Sequence, residues 1–267
     1  MSRVRTVAVS YQNTLPLRAG IERLHESGVI DLVLDKPNRA TRRFAGGEFV
    51  LGLLPVAAQL AIPEALPFGR FGIVSDGFVG SVGIFSERPL DELSAVYLDY
   101  DSRSSVLLAR ILLHHHWGLT PKLIAAEPGY RERIGRDVGG VIIGDPAIEA
   151  RERFPFYYDL GAAWKEMTNL PFVFAAWLSS VPLPEDFIAR FDEAQATGVD
   201  QRLELAILHQ FEVPGYNLVD YFLNQIHYRL DDAALAGRAL YLKLGRELLA
   251  REAAGQAPAP RRGLVGA

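Results

Sequence analysis

Val4-Arg5-Thr6-Val7-Ala8-Val9-Ser10-Tyr11-Gln12-Asn13-Thr14-Leu15-Pro16-Leu17 is the stretch that decides the fold class. Residues 4–10 are β-branched and apolar, the composition of a buried strand. Residues 16–25 then repeat apolar side chains at helical spacing, with Leu17, Ile21 and Leu24 on one face. A strand that runs through a polar turn into a helix is the building unit of an α/β protein. In open α/β sheets ligands gather at the carboxyl ends of strands, where helix N-termini offer unpaired N–H groups. Ser10, Tyr11, Gln12 and Asn13 place four polar, uncharged side chains at such an end. Either Asn13 or Thr14 caps the helix, with Pro16 in its first turn, or the group contacts a ligand; the two roles are compatible.

The alternation continues along the chain. Residues 30–34 and 49–54 read as short buried strands, 55–62 as a short helix, and 72–75 and 78–85 as extended segments. A strand at 95–98 leads through Asp99-Tyr100-Asp101 into a helix at 104–115, followed by strands near 122–126 and 141–143. From Glu185 onward the pattern is helical. Phe187, Ile188 and Phe191 share one face; Leu218, Tyr221, Phe222 and Ile226 share another; Leu235, Leu242, Leu244 and Leu248 line a third. The segment from about 253 to 267, rich in Ala, Gly, Pro and Arg, reads as a disordered tail.

Three further segments carry chemistry. In Ser75-Asp76-Gly77-Phe78-Val79-Gly80-Ser81-Val82, hydroxyls and backbone amides flank a bend. An Asp-Gly pair commonly makes a hairpin turn, which explains Asp76 and Gly77 but not Ser81 inside an apolar run. Asp99-Tyr100-Asp101-Ser102-Arg103-Ser104-Ser105 is a hydroxyl-rich entry to a helix. Either Ser102 or Ser104 caps the helix; three serines plus Arg103 exceed what one cap requires, so Arg103, Ser104 and Ser105 point to anion binding at the positive end of the helix dipole. In Ile143-Gly144-Asp145-Pro146, Asp145 either caps the following helix or orients a ligand hydroxyl.

Composition narrows the function. Among 267 residues there is no cysteine, which removes disulfides, thiolate metal sites and cysteine nucleophiles. A net charge of −4 argues against a nucleic-acid partner. No apolar run approaches the roughly 20 residues that span a bilayer, so no membrane association is expected. The first residues lead straight into a strand with no small-residue cleavage site, so a cytoplasmic location is expected. His114-His115-His116 is no metal tract, because consecutive helical side chains diverge by about 100°; a solvated helix end is expected there, and no metal or cofactor. Arg131, Arg133 and Arg136 read as a solvated charged face, and Trp164 and Trp177 as core.

In order along the chain, Ser10–Leu17, Leu53-Leu54-Pro55-Val56, Ser75–Val82, Ser102–Val106, Ile143-Gly144-Asp145, Tyr158-Asp159-Leu160-Gly161 and Thr168–Trp177 together resemble the chorismate dehydratase family of the futalosine route to menaquinone. The likeness spans roughly residues 5–250. This sequence departs from the family with Gln12 where Leu is usual, Ser104 for Thr and Asn169 for Gly. Gln12 and Asn169 would add polar groups near the ligand. The resemblance implies a two-lobed fold like the type II periplasmic binding proteins, with a cleft between lobes and crossings near 85–89 and 174–178. Lobe one would comprise residues 1–86 and 178–267, and lobe two residues 87–177.

The resemblance also implies a lyase that takes chorismate as its small-molecule substrate. On that footing Ser104 and Ser105, with their amides, hold one carboxylate. Asn13 and Ser81 are the catalytic pair, orienting the ring and hydrogen-bonding the departing hydroxyl. Ser10, Tyr11, Ser75, Arg103 and Asp145 complete the substrate contacts. No histidine lies in any motif, so the substrate's own enolpyruvyl carboxylate is a candidate proton acceptor, with Asp145 and Asp76 as protein alternatives. Two rivals are a non-catalytic cytoplasmic binding protein for a small carboxylate and the sister dihydroxynaphthoate synthase. The sister family's first motif is Cys-Pro-Asn-like, unlike Ser10-Tyr11-Gln12-Asn13.

Overall fold

A computed structural model describes residues 3–212 and 216–255. The expected tail at 253–267 therefore lies, from residue 256 on, outside the described residues. The strands are β1 (Val4–Val9), β2 (Ile30–Asp35), β3 (Leu51–Pro55), β4 (Leu66–Ser75), β5 (Val82–Ser86), β6 (Ala95–Leu98), β7 (Lys122–Ala125), β8 (Val138–Ile143), β9 (Phe156–Asp159), β10 (Phe172–Ser179) and β11 (His227–Arg229). The helices are α1 (Leu15–Glu26), α2 (Pro37–Ala45), α3 (Ala58–Ala61), α4 (Arg103–His115), α5 (Asp145–Arg153), α6 (Leu160–Thr168), α7 (Glu185–Asp200), α8 (Arg202–His209), α9 (Leu218–Asp220) and α10 (Asp232–Ala253). The described residues form two compact units, the first drawn from residues 3–74, 173–212 and 216–235 and the second from residues 75–172 and 236–255.

The first unit is built on a six-stranded sheet in the order β11-β4-β10-β3-β1-β2. β1 runs parallel to both β2 and β3, whereas β10 is antiparallel to β3. Leu17 and Ile21 on α1 are fully buried, as their spacing predicts. Gln195 on α7 is buried as well, and it is satisfied at both ends. Its amide nitrogen donates to the Leu17 carbonyl at 2.6 Å, and its oxygen accepts from the Trp177 indole at 2.9 Å. Pairing of this kind removes the roughly 1–3 kcal/mol penalty of a buried orphan. Phe191 packs edge-on against Trp177 and Phe68 at 4.9 and 5.2 Å.

The second unit carries a five-stranded sheet in the order β7-β6-β8-β5-β9. β6 is parallel to β7 and β8, and β5 is antiparallel to β8 and β9. Leu108, Ile111 and Leu112 of α4 are fully buried. Burying each such side chain contributes about 1.5–3 kcal/mol. Trp164 lies wholly inside, edge-on to Phe172 at 5.4 Å and to Tyr241 at 6.3 Å, and its indole donates to the Pro171 carbonyl.

Several expectations give way here. The division of the chain differs from 1–86 plus 178–267 against 87–177, because β5 pairs with β8 and β9 and so carries residues 82–86 into the second unit. Residues 236–255 also join that unit, with Tyr241 against Phe172. The segment 78–85 is a strand only from Val82; residues before it bend, with Gly77 at φ 116° and Gly80 at φ 73°. Asp76-Gly77 is no hairpin turn, since β4 and β5 belong to different sheets. His114 and His115 are buried rather than solvated, as α4 is covered along most of its length.

Candidate functional site

In the first unit, β1 and β3 are parallel, and β10 begins where β3 ends, with Ala175 opposite Pro55. The polar turn after β1 therefore lies at the carboxyl edge of this sheet. Tyr11 is extended, and Gln12–Thr14 form a single tight turn leading into α1. Thr14 does not cap the helix. Its buried hydroxyl lies 2.9 Å from the Val9 carbonyl and 2.6 Å from that of Tyr11, and so ties the turn back to its own strand. Nor does Asn13 cap it. Its Oδ1 is buried and, among the described residues, has no hydrogen-bond partner. A buried amide oxygen left unpaired costs about 1–3 kcal/mol, the mark of a group held for something other than stability. Ser10 is exposed and Tyr11 half-buried. Gln12 turns to the surface, donating to Glu212 at 3.1 Å, where Glu212 also meets His209 at 2.7 Å.

In the second unit, strand direction collects four of the quoted segments. β6 and β8 run parallel, so the turn at 99–102 and the start of α5 share one sheet edge. β5 is antiparallel to β8, with Val82 opposite Ile143, which brings Ser81 to that same edge. β9 is antiparallel to β5 with Asp159 opposite Gly83, which adds Asp159. Ser81, Ser104, Ser105 and Asp145 thus meet along one edge although 64 residues separate the first from the last by number alone. Arg103, the first residue of α4, is exposed.

Capping at α4 is done by Ser102, whose Oγ accepts from the Ser105 amide at 3.2 Å. Ser104 is thereby freed from that duty, but the Ser105 amide is already taken and does not serve a ligand as expected. Both serines are almost wholly buried. The turn itself is held by Asp99, whose Oδ1 accepts from the Asp101 amide at 2.8 Å while Oδ2 lies 2.8 Å from the Tyr130 hydroxyl. Tyr130 shares its single proton with the Val141 carbonyl at 2.7 Å. Burial pushes the Asp99 carboxyl up, against the downward pull of Tyr130 and the Asp101 amide.

Asp145 is not the cap of α5. That place belongs to Gly144, whose φ of 66° and ψ of −152° suit only a residue without a side chain. The Gly144 amide donates to the Ser81 carbonyl at 2.7 Å, joining two of the segments directly. Asp145, in the first turn, is partly buried, and burial followed by the Glu149 charge raises its pKa. Asp76 pairs with Lys165 at 2.6 Å and is half-exposed. Ser75 is completely buried, and its Oγ, like Asn13 Oδ1, has no partner among the described residues.

Two residues were given no role from the sequence, although Asp159 stands in the quoted segment 158–161. Asp159 gathers four donors, and Tyr130 anchors Asp99. A further local signal for Asp159 was its position before an apolar helix start, where its side chain accepts from the Ala162 amide at 2.9 Å. Asn169, expected to add polarity near a ligand, is instead the exposed C-cap of α6 with φ 58°, donating its amide to the Lys165 carbonyl. Asparagine is the residue that best tolerates this left-handed conformation after glycine, which accounts for the departure from the family pattern. Among the described residues no group of three His, Asp or Glu side chains could hold a metal ion, and no helix is long and apolar enough to cross a membrane.

Two mixed sheets with helices, each presenting buried polar groups at strand ends, define a periplasmic-binding-protein-like fold. Solved structures agree. Protein AF1704 from Archaeoglobus fulgidus matches with a TM-score of 0.69 at 13% identity, over 95% of this chain and 98% of that one. The Candida albicans protein CA3427, described as exhibiting the generic periplasmic binding protein fold, matches at 0.66 and 12%, over 100% and 99%. The periplasmic aliphatic sulphonate binding protein SsuA from Escherichia coli matches at 0.60 and 17%, over 94% of each chain. The chain belongs to the menaquinone biosynthesis family, whose model matches residues 5–247. It is also similar to the chorismate dehydratase of Thermus thermophilus, 28% identical over an alignment of 243 residues that covers 83% of this chain and 88% of the relative.

Proposed function

We propose that this protein is a chorismate dehydratase, a lyase that converts chorismate to 3-[(1-carboxyvinyl)oxy]benzoate and water in the cytoplasm, on the futalosine route to menaquinone. The likeness to the Thermus dehydratase across most of both chains carries the reading. The chemistry of the polar strand ends fits it.

The reaction breaks two bonds on neighbouring ring carbons. The hydrogen on the ether carbon leaves as a proton, and the adjacent hydroxyl leaves with its electron pair and is protonated to water. The ring becomes aromatic and the enolpyruvyl ether is kept. Because aromatisation drives the step, the protein has to orient the substrate and assist the leaving group. Neutral donors suit that task. Ser104 and Ser105 hold a carboxylate through their hydroxyls at the start of α4, where the helix dipole favours negative charge. Asn13 and Ser81 orient the ring and hydrogen-bond the departing hydroxyl. Ser10, Tyr11, Ser75, Arg103 and Asp145 supply further contacts.

The substrate's enolpyruvyl carboxylate takes the proton. Asp76 is a poor alternative because it is half-exposed and engaged by Lys165 at 2.6 Å. Asp145, partly buried with its pKa raised, is the stronger protein candidate.

The direct test is to incubate the purified protein with chorismate and follow the product by mass. Loss of one water with the enolpyruvyl group retained is expected. Binding without water loss would make the chain a carboxylate-binding protein instead, and loss of the enolpyruvyl group would make it a different lyase.

A further inference from the structure

We infer that Asp159 is a positioning residue for the reaction, acting through the loop that carries Ser75 and Ser81; the catalytic part of this rests on the dehydratase reading. A helix cap needs one accepted hydrogen bond, and Asp159 supplies that one to the Ala162 amide at 2.9 Å. Its carboxylate accepts three more groups. The Gly80 amide lies 2.8 Å from Oδ2, the Val79 amide 3.1 and 3.2 Å from the two oxygens, and the Tyr157 hydroxyl 2.6 Å from Oδ2. Two of the four donors thus come from a loop about 80 residues away in the chain.

The remainder of α6 presses on the same loop. Lys165 pairs with Asp76 at 2.6 Å. Gly161 packs so closely that a methyl group on it would lie 2.4 Å from the Gly77 carbonyl oxygen and 2.7 Å from Ser75 Oγ. The loop is therefore fastened at Asp76, Gly77 and Val79-Gly80, immediately before Ser81. The Ser81 carbonyl in turn accepts the Gly144 amide that begins the helix of Asp145. Ser81, buried, has its position set by this arrangement more than by strand pairing, since its strand starts only at Val82, whereas buried Ser75 is the last residue of β4 and is touched by the loop's packing against Gly161. A carboxylate that accepts from four donors has the lone pairs to hold such a loop.

The test compares Asp159→Asn, Tyr157→Phe, Ser81→Ala and the double variant Asp159→Asn/Ser81→Ala with the native protein. Amide hydrogen exchange of residues 76–81 should accelerate in Asp159→Asn by about tenfold or more, the loss expected for one charge-assisted bond. The kcat for water loss from chorismate should fall by a similar factor with a smaller change in KM, and in the Ser81→Ala background that fall should shrink to less than about twofold. Unchanged exchange at 76–81, or losses that multiply in the double variant, would overturn the inference. Should Asp159→Asn not fold, Tyr157→Phe decides by the same two readouts, with smaller changes in the same directions. A native protein that leaves chorismate intact would refute the dehydratase reading, while hydrogen exchange would still decide whether Asp159 holds the loop.

Discussion

The Tyr241 hydroxyl donates to the Ser104 carbonyl at 3.0 Å across 137 residues of sequence, both groups buried. Helix α10 thus grips the first turn of α4, where the hydroxyl-rich segment ends. Burial pushes the Tyr241 hydroxyl far above its ordinary range, so it remains a donor at every working pH. Tyr241→Phe keeps the ring contacts with Trp164 and Phe172 and removes only this bond. A loss of about 0.5–1.5 kcal/mol in urea unfolding is expected, since the helical carbonyl retains its own helix partner. A weaker affinity for chorismate should accompany it, measured as a raised KM.

Asn13 offers the opposite signature. Its Oδ1 is buried without a partner among the described residues, so Asn13→Ala removes an unpaid desolvation and should leave stability unchanged or raised by up to about 1 kcal/mol. Dehydration of chorismate should nevertheless fall by about 10²–10³, the usual effect of deleting one donor at a reacting oxygen. Parallel losses of stability and activity would instead assign Asn13 a structural role.

Gly161→Ala places a methyl group against the Gly77 carbonyl and Ser75 Oγ. Relief requires the loop or α6 to shift, at a cost of about 1–3 kcal/mol. The variant should unfold at lower urea and lose activity together, because the displaced loop is the one that leads to Ser81. An unchanged urea midpoint would show that the backbone gives way freely there.

Asp145 has a raised pKa through burial and Glu149. A folded carboxyl that keeps its proton to higher pH than the unfolded one loses stability as pH rises through that window. Asp145→Asn should therefore be more stable than the native protein at about pH 7.5, and the advantage should fade as pH falls and be gone by about pH 2.5, where both forms of the chain are protonated. Its kcat should stay within about threefold if the substrate's carboxylate takes the proton. A fall of about 10² or more with the fold intact would assign that role to Asp145.

The local setting of the candidate site's segments was legible because polar turns next to apolar periodic segments are local features. Ser10–Thr14, Ser102–Ser105 and Gly144-Asp145 all stand where strands hand over to helices, and the structure keeps them there. Cap assignments were less legible. Ser102 could be told from Ser104 only once the φ angles of α4 were known, and Asp145 yielded to Gly144 because the turn needs a positive φ. Asn169 looked like a ligand group because a polar side chain in place of glycine carries no sign of the left-handed cap it fills.

The sequence by itself determined the α/β class, the strand-to-helix handovers and the buried faces of the main helices, because each depends on the period of side chains a few residues apart. Tertiary structure alone decided which sheet each strand joins, hence that β5 carries Ser81 beside Gly144, and that Asp159 and Tyr241 reach back to segments 80 and 137 residues earlier. Those pairings follow from packing and hydrogen-bond satisfaction between distant parts of the chain, and no local pattern encodes which distant partner a buried group will find.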